Sequence, residues 1–96
     1  MEYTTLGNTG VTVSKICLGC MSFGDIGWRD WVLDEEAGTE LVDRAIDLGV
    51  NFFDTANMYS EGGSERVLGN ALAEYDREEF VVASKVYFQM DEDDPN

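Results

Sequence analysis

Histidine is absent from the 96 residues, and cysteine occurs only at Cys17 and Cys20. Their C-x-x-C spacing suits a redox pair or half of a zinc site. Without histidine or a third cysteine, however, one chain cannot complete a closed four-ligand zinc site. The pair also closes a predicted strand instead of opening a helix, so two small, mostly buried thiols are expected. Basic residues are scarce too: Lys15, Lys85, Arg29, Arg44, Arg66 and Arg77 stand against 20 acidic residues, for a formal net charge of −14. A phosphate-binding surface needs clustered Lys and Arg, and these six are scattered, which argues against nucleic acid and anionic membranes as partners. Neither an apolar run of about 18 residues nor a basic leader before an apolar stretch occurs. Neither a membrane span nor a signal peptide is therefore expected, and the expected location is cytoplasmic.

What is present is an ordinary core composition, 44% apolar and 11% aromatic, enough for one domain and not for two. A normal core under so acidic a surface implies self-repulsion that high salt screens. This pattern is similar to that of proteins from salt-loving microbes.

The chain order predicts a hairpin followed by alternating strands and helices. Tyr3 to Leu6 and Val11 to Ser14 are β-prone runs around Gly7-Asn8-Thr9-Gly10, a turn tolerant of positive φ. Ile16-Cys17-Leu18 reads as a strand ending at Gly19, with a long loop to about Leu33. Asp34 is a helix cap with Glu35 and Glu36 in the first turn. Ala37, Leu41, Val42, Ala45, Ile46 and Leu48 follow helical spacing, and Gly49 is the stop. Val50 to Asp54 is a compact strand, residues 55 to 63 a loop, and Ser64 the expected cap of a second helix carrying Val67, Leu68, Ala71, Leu72 and Tyr75. Phe80 to Ser84 is a third strand.

Strands separated by helices imply a parallel α/β sheet. Three parallel strands leave both edges unpaired, and the polar segment 91–96 reads as a connection. The expectation is one partial domain over 1–96, hairpin 3–14 and β/α units from 15 onward, at the front of a larger β/α protein.

In such sheets function gathers at the carboxyl ends of the strands. Asp54, Tyr59 and Lys85 fall there, and side-chain alternation puts Asp54 and Lys85 on the same face of neighbouring strands. A tyrosine hydroxyl ordinarily titrates near pH 10, and a neighbouring cation favours its ionised form. A carboxylate beside the lysine would keep that cation charged. The trio fits a tyrosine that gives a proton to a carbonyl oxygen while a nicotinamide supplies hydride. Singly, each residue has a plainer role: an Asx turn at Asp54, a loop aromatic at Tyr59, a solvated lysine at Lys85. Gly62-Gly63 reads as a turn before a helix more readily than as an anion nest, and with no G-x-x-x-x-G-K-[ST] and no G-x-G-x-x-G the chain shows neither a P-loop nor a Rossmann site.

The stretch from Gly49, G-V-N-F-F-D-T-A-N-M-Y-S-E-G-G-S-E-R-V-L-G-N-A-L, resembles the aldo-keto reductase superfamily. Val82-Ala83-Ser84-Lys85, the L-G-N-T-G hairpin and L-G-C-M-S-F-G from Leu18 resemble the same family. The loop between Ala56 and Glu65 is longer than in the aldose-reductase type and is similar to the bacterial and archaeal branch that includes potassium-channel β subunits. The resemblance implies the N-terminal part of a (β/α)8 TIM barrel with about three β/α units present and the hairpin closing its floor. It implies NADPH or NADH as cofactor and small carbonyl compounds as substrates. Tyr59 would be the general acid and base, Lys85 its cationic neighbour and Asp54 the lysine's partner. Gly19, Cys20 and Met21, with Asp54, would line the nicotinamide side of the cofactor pocket, Cys20 departing from the threonine common there. The family's catalytic histidine and adenosine contacts have no counterpart in this sequence, so the 96 residues alone are expected to be inactive. The competing expectations are a redox-sensing or channel-associated partner protein that keeps the cofactor site, and a non-catalytic remnant.

Overall fold

Glycines at both ends of the first turn let the chain reverse early: Gly7 and Gly10 hold φ of 55° and 78°. In the computed structural model, which describes residues 1–91 and 93, β1 (Tyr3–Thr5) and β2 (Thr12–Ser14) form the expected antiparallel hairpin, Tyr3 opposite Ser14. Most of the polar segment 91–96 lies outside the described residues.

A parallel three-stranded sheet follows, in the order β3 (Leu18–Gly19), β4 (Phe52–Asp54), β5 (Val81–Ala83), with α1 (Glu35–Asp47) and α2 (Gly63–Leu72) in the connections. These are successive β/α units, in the order the sequence predicts. Strand β3 begins later than the sequence suggests. Ser14 Oγ donates to the Ile16 carbonyl at 2.6 Å, a local turn that leaves Ile16 and Cys17 exposed, and the Cys20 amide extends the ladder to the Asp54 carbonyl at 2.8 Å. Expected burial of both thiols therefore holds for Cys20 alone.

Helix α1 starts as its sequence dictates, with the Asp34 carboxylate accepting from the Ala37 amide at 3.0 Å. It ends where Gly49 turns left-handed, at φ 96°. Helix α2 starts differently. Gly62, at φ 96°, takes the cap position with no side-chain cap, while Ser64 lies inside the helix with its hydroxyl buried. The helix stops at Leu72, so Tyr75 belongs to the following turn, where it packs edge-on against Phe80 and donates to Asp43 at 2.9 Å.

Both helices cover one face of the sheet. Phe53 is fully buried there among Val42, Val67, Leu68, Ala71 and Phe80. Period-two alternation turns Phe52 and Asp54 to the opposite face. The helices come close because Gly38 has no side chain: a Cβ there would lie 2.8 Å from Val67 Cγ1 and 3.2 Å from the Phe23 ring. Glycine inside a helix costs about 1 kcal/mol relative to alanine, and close packing of α1 on α2 offsets it. Among the described residues, no helix is long and apolar enough to cross a membrane.

The hairpin is fastened at the amino end of β4. Asn51 Oδ1 accepts from the Ser14 amide at 2.7 Å, Asn51 Nδ2 donates to the Thr12 carbonyl at 3.1 Å, and the Tyr3 hydroxyl donates to the Gly49 carbonyl at 2.6 Å. This puts the hairpin at the end of the sheet opposite Asp54 and Lys85. Asn51→Ala removes two of these bonds and leaves the Ser14 amide part-buried without its acceptor, a cost of roughly 1–3 kcal/mol. Native-state hydrogen exchange is expected to show faster exchange at Ser14 with β5 protection retained; unchanged exchange at Ser14 would refute the fastening role.

Candidate active site

Strand register sets the site. Gly19 pairs with Asp54, and Asp54 with Ala83, so the ends of three strands lie side by side. Lys85, two residues beyond Ala83, lies on the same face as Asp54. Its ammonium donates to Asp54 Oδ2 at 2.8 Å, to the Thr55 carbonyl at 2.9 Å and to the Tyr59 hydroxyl oxygen at 3.2 Å. A lysine ammonium has three donors, and here each has an acceptor. The sequence-predicted trio is thus brought together around one nitrogen.

The charges reinforce this arrangement. The Asp54 carboxylate holds the Lys85 pKa above the ordinary lysine value; partial burial opposes that and the Tyr59 contact adds to it. The pair is half open to solvent, with side-chain exposures of 47% for Lys85 and 38% for Asp54. A raised lysine pKa contributes stability below the unfolded-state pKa, near 10.4, which is lost as pH rises through the folded value. Because Lys85 already donates to the Tyr59 oxygen, the tyrosine's own hydrogen is uncommitted to these contacts and can point away from the lysine.

Tyr59 is held by a tight turn. Its amide donates to the Ala56 carbonyl at 3.3 Å, the Asn57 amide reaches the Lys85 carbonyl at 3.2 Å, and Tyr59 opens a short 3-10 turn, Tyr59–Gly62. Ser60 and Glu61 take left-handed φ values of 51° and 52°, followed by Gly62 at 96°. For residues with a side chain this conformation costs roughly 1–2 kcal/mol apiece. Buried Ser60 packs directly against Gly24, where any Cβ would collide with it. Nothing in the residue types of Ser60 and Glu61 signals that strain.

The three expected cofactor-side residues separate. Gly19 is exposed beside Asp54, with nothing within 4 Å of where a Cβ would stand, and Met21 is also exposed. Cys20 corrects the expectation: strand alternation turns it into the helix-covered core at 0% exposure, so its side chain does not line the open face. Burial pushes its thiol up to about 12, while Cys17 is raised by desolvation and then by the Asp54 charge. Both remain protonated near neutral pH, unlike a reactive redox cysteine. The bare surface over Gly19, next to a charged lysine and an uncommitted tyrosine hydrogen, fits a flat ring such as a nicotinamide.

Comparison with known proteins places the chain in a family. The chain is 45% identical over 94 residues to the versiconal hemiacetal acetate reductase of Aspergillus parasiticus, a match of 96% of this chain and 27% of that protein. It is 42% identical over 102 residues to the uncharacterized oxidoreductase YrpG of Bacillus subtilis, of which it spans 29%. Among solved structures, a holo-form aldo-keto reductase from Bacillus halodurans superposes with a TM-score of 0.75 at 34% identity, covering 90% of this chain and 26% of that one. The chain thus spans little more than a quarter of the length of these relatives. With the Aldo/keto reductase family model matching residues 15–96, the chain that carries this lysine-centred site belongs to the aldo-keto reductases.

Proposed function

We propose that these residues form the amino-terminal part of a cytoplasmic NAD(P)H-dependent oxidoreductase that interconverts aldehydes or ketones and alcohols. In this reading residues 1–96 are a partial barrel domain, inactive alone. The observation that carries it is the convergence of Asp54, Thr55 and Tyr59 on the Lys85 ammonium.

Tyr59 is the proton donor in the reducing direction and the acceptor in the oxidising one. Its hydroxyl oxygen already accepts from Lys85, so negative charge that develops there as the proton leaves is met by a fixed cation. Asp54 keeps Lys85 charged and oriented, and the Thr55 carbonyl fixes the third lysine donor. Gly19 and Met21 offer the surface beside Asp54 against which the cofactor's ring would lie. When bound, a nicotinamide supplies the hydride for the carbonyl carbon.

The test is NADPH or NADH oxidation by the full-length protein with small aldehydes and ketones, the isolated 96 residues serving as the control expected to show no turnover. Stoichiometric retention of the cofactor without turnover on any carbonyl would refute the enzyme reading and favour a cofactor-binding partner protein.

The charge relay also has a pH signature. Asp54→Asn removes the carboxylate that raises Lys85, so the lysine loses its proton at lower pH. The alkaline limb of the kcat/KM profile is expected to move down in pH, with a lower plateau. An unmoved limb would separate Asp54 from Lys85.

A halophilic source fits the charge. With 20 acidic residues, six basic ones and, among the described residues, two ion pairs, Lys15–Glu2 and Lys85–Asp54, acidic self-repulsion is relieved chiefly by salt. At about 1 M salt the Debye length shrinks to about 3 Å. The thermal midpoint of the full-length protein is therefore expected to rise steeply with KCl, and a salt-independent midpoint would remove the halophilic reading.

A further inference from the structure

The first turn of α2 touches all three strand ends that build the site, through two consecutive side chains that take no part in the proposed proton transfer. Ser64, fully buried, donates from Oγ to the Cys20 carbonyl at 2.5 Å, just past β3. That bond uses its hydrogen. The 2.7 Å contact between Ser64 Oγ and Thr55 Oγ1 therefore has Thr55, also buried, as the donor. Next along, Glu65 Oε1 accepts from Ser84 Oγ at 2.5 Å. Thr55 follows Asp54 and Ser84 precedes Lys85. Thr55 also sends its amide to the Ala83 carbonyl at 2.8 Å and offers its carbonyl to Lys85.

From this geometry we infer that Ser64 and Glu65 are positioning residues: as a paired clamp they fix the ends of β4 and β5 relative to each other, and so set how Lys85 meets Asp54 and Tyr59. Successive residues on a helix point in different directions, which lets one reach the β4 end while its neighbour reaches the β5 end. Both partner hydroxyls lie on the helix-covered side of the sheet, behind the open face. The clamp therefore acts on the lysine through the backbones of Thr55 and Ser84, without touching substrate or cofactor. It explains why Ser64 is buried inside the helix and does not cap it. Misplacing reacting groups by about 1 Å costs on the order of 100-fold in rate; loosening one arm of a two-armed clamp should cost about 10-fold.

This inference rests on the proposed roles of Tyr59 and Lys85, and the experiment separates the two. Four variants of the full-length protein test it. Thr55→Val and Ser84→Ala each cut one arm and leave the lysine's acceptors in place. Thr55→Ser and Glu65→Gln keep a hydroxyl and an acceptor. Ser84 is exposed, so its variant is expected to fold even where Thr55→Val does not. Among the described residues the titratable groups acting on Lys85 are Asp54, Tyr59 and, at longer range, Cys17 and Cys20, and all four variants leave them unchanged. The expected result is a kcat about 10-fold lower for the two cutting variants, cofactor KM unchanged, and the alkaline limb moved to lower pH. The two conservative variants should stay within about 2-fold of the parent, inside the limit of an intact clamp. If Ser84→Ala and Thr55→Val match the parent in kcat and pH profile while Tyr59→Phe is inactive, the clamp is refuted and the Tyr59 reading stands. If Tyr59→Phe keeps the parental rate, both fall together.

Discussion

Tyr59→Phe in the full-length protein is expected to lower kcat for carbonyl reduction by about 10³-fold, within the range that one positioned general acid contributes, with cofactor binding retained. Phenylalanine keeps the ring and its packing and removes only the hydroxyl oxygen that lies 3.2 Å from the Lys85 ammonium. With that oxygen gone the carbonyl has no proton donor, and Lys85 has two acceptors where it had three. Single-turnover measurement of NADPH oxidation, with the cofactor dissociation constant determined in parallel, checks the split. Turnover near the parental rate would dismiss Tyr59 as the proton donor.

Lys85→Met should follow closely, with kcat lower by about 10²- to 10³-fold. Methionine approximates the length of the lysine stem but supplies no donors, so the Asp54 carboxylate, the Thr55 carbonyl and the Tyr59 oxygen lose their common partner at once. Lys85→Arg retains the charge yet offers a planar fork in place of a compact ammonium, and three acceptors gathered around one point do not match a fork. Arginine should therefore recover only part of the loss. The double variant Tyr59→Phe/Lys85→Met should be no slower than the worse single one, because groups that act as a unit lose their effect together. Additive losses in that cycle would mean that the lysine works independently of the tyrosine.

Much of this site was legible in the sequence because it follows from alternation. Once Phe53 is assigned to the core, Asp54 must face the other way, and Lys85 joins it when both strands turn those faces inward; the pairing of Asp54 with Ala83 that sets the two side by side comes from the strand register. Helix α1 was readable for a similar reason: Asp34, the apolar spacing and Gly49 all agree on the same element. The departures occur where a long-range partner overrides a local preference. Ser64 looks like a cap from its neighbours, but the Cys20 carbonyl and the Thr55 hydroxyl draw it into the interior. Cys20 sits in a motif that resembles a cofactor wall, yet its strand position turns it into the core. The left-handed Ser60 and Glu61 had no signal in residue type, since neither is glycine or asparagine; the strain is visible only in the fold that imposes it.

The fastening of the hairpin bears on the order in which the chain can acquire structure. Its anchors on Asn51 and Gly49 join residues 37, 39 and 46 positions apart, while its own ladder is short and local. Contacts of such separation form only after the intervening chain has been organised. During synthesis the first fourteen residues leave the ribosome long before β4 exists to receive them. An isolated two-stranded hairpin is marginal in water, so the hairpin would be made first and set last, its final locking timed by the arrival of Asn51.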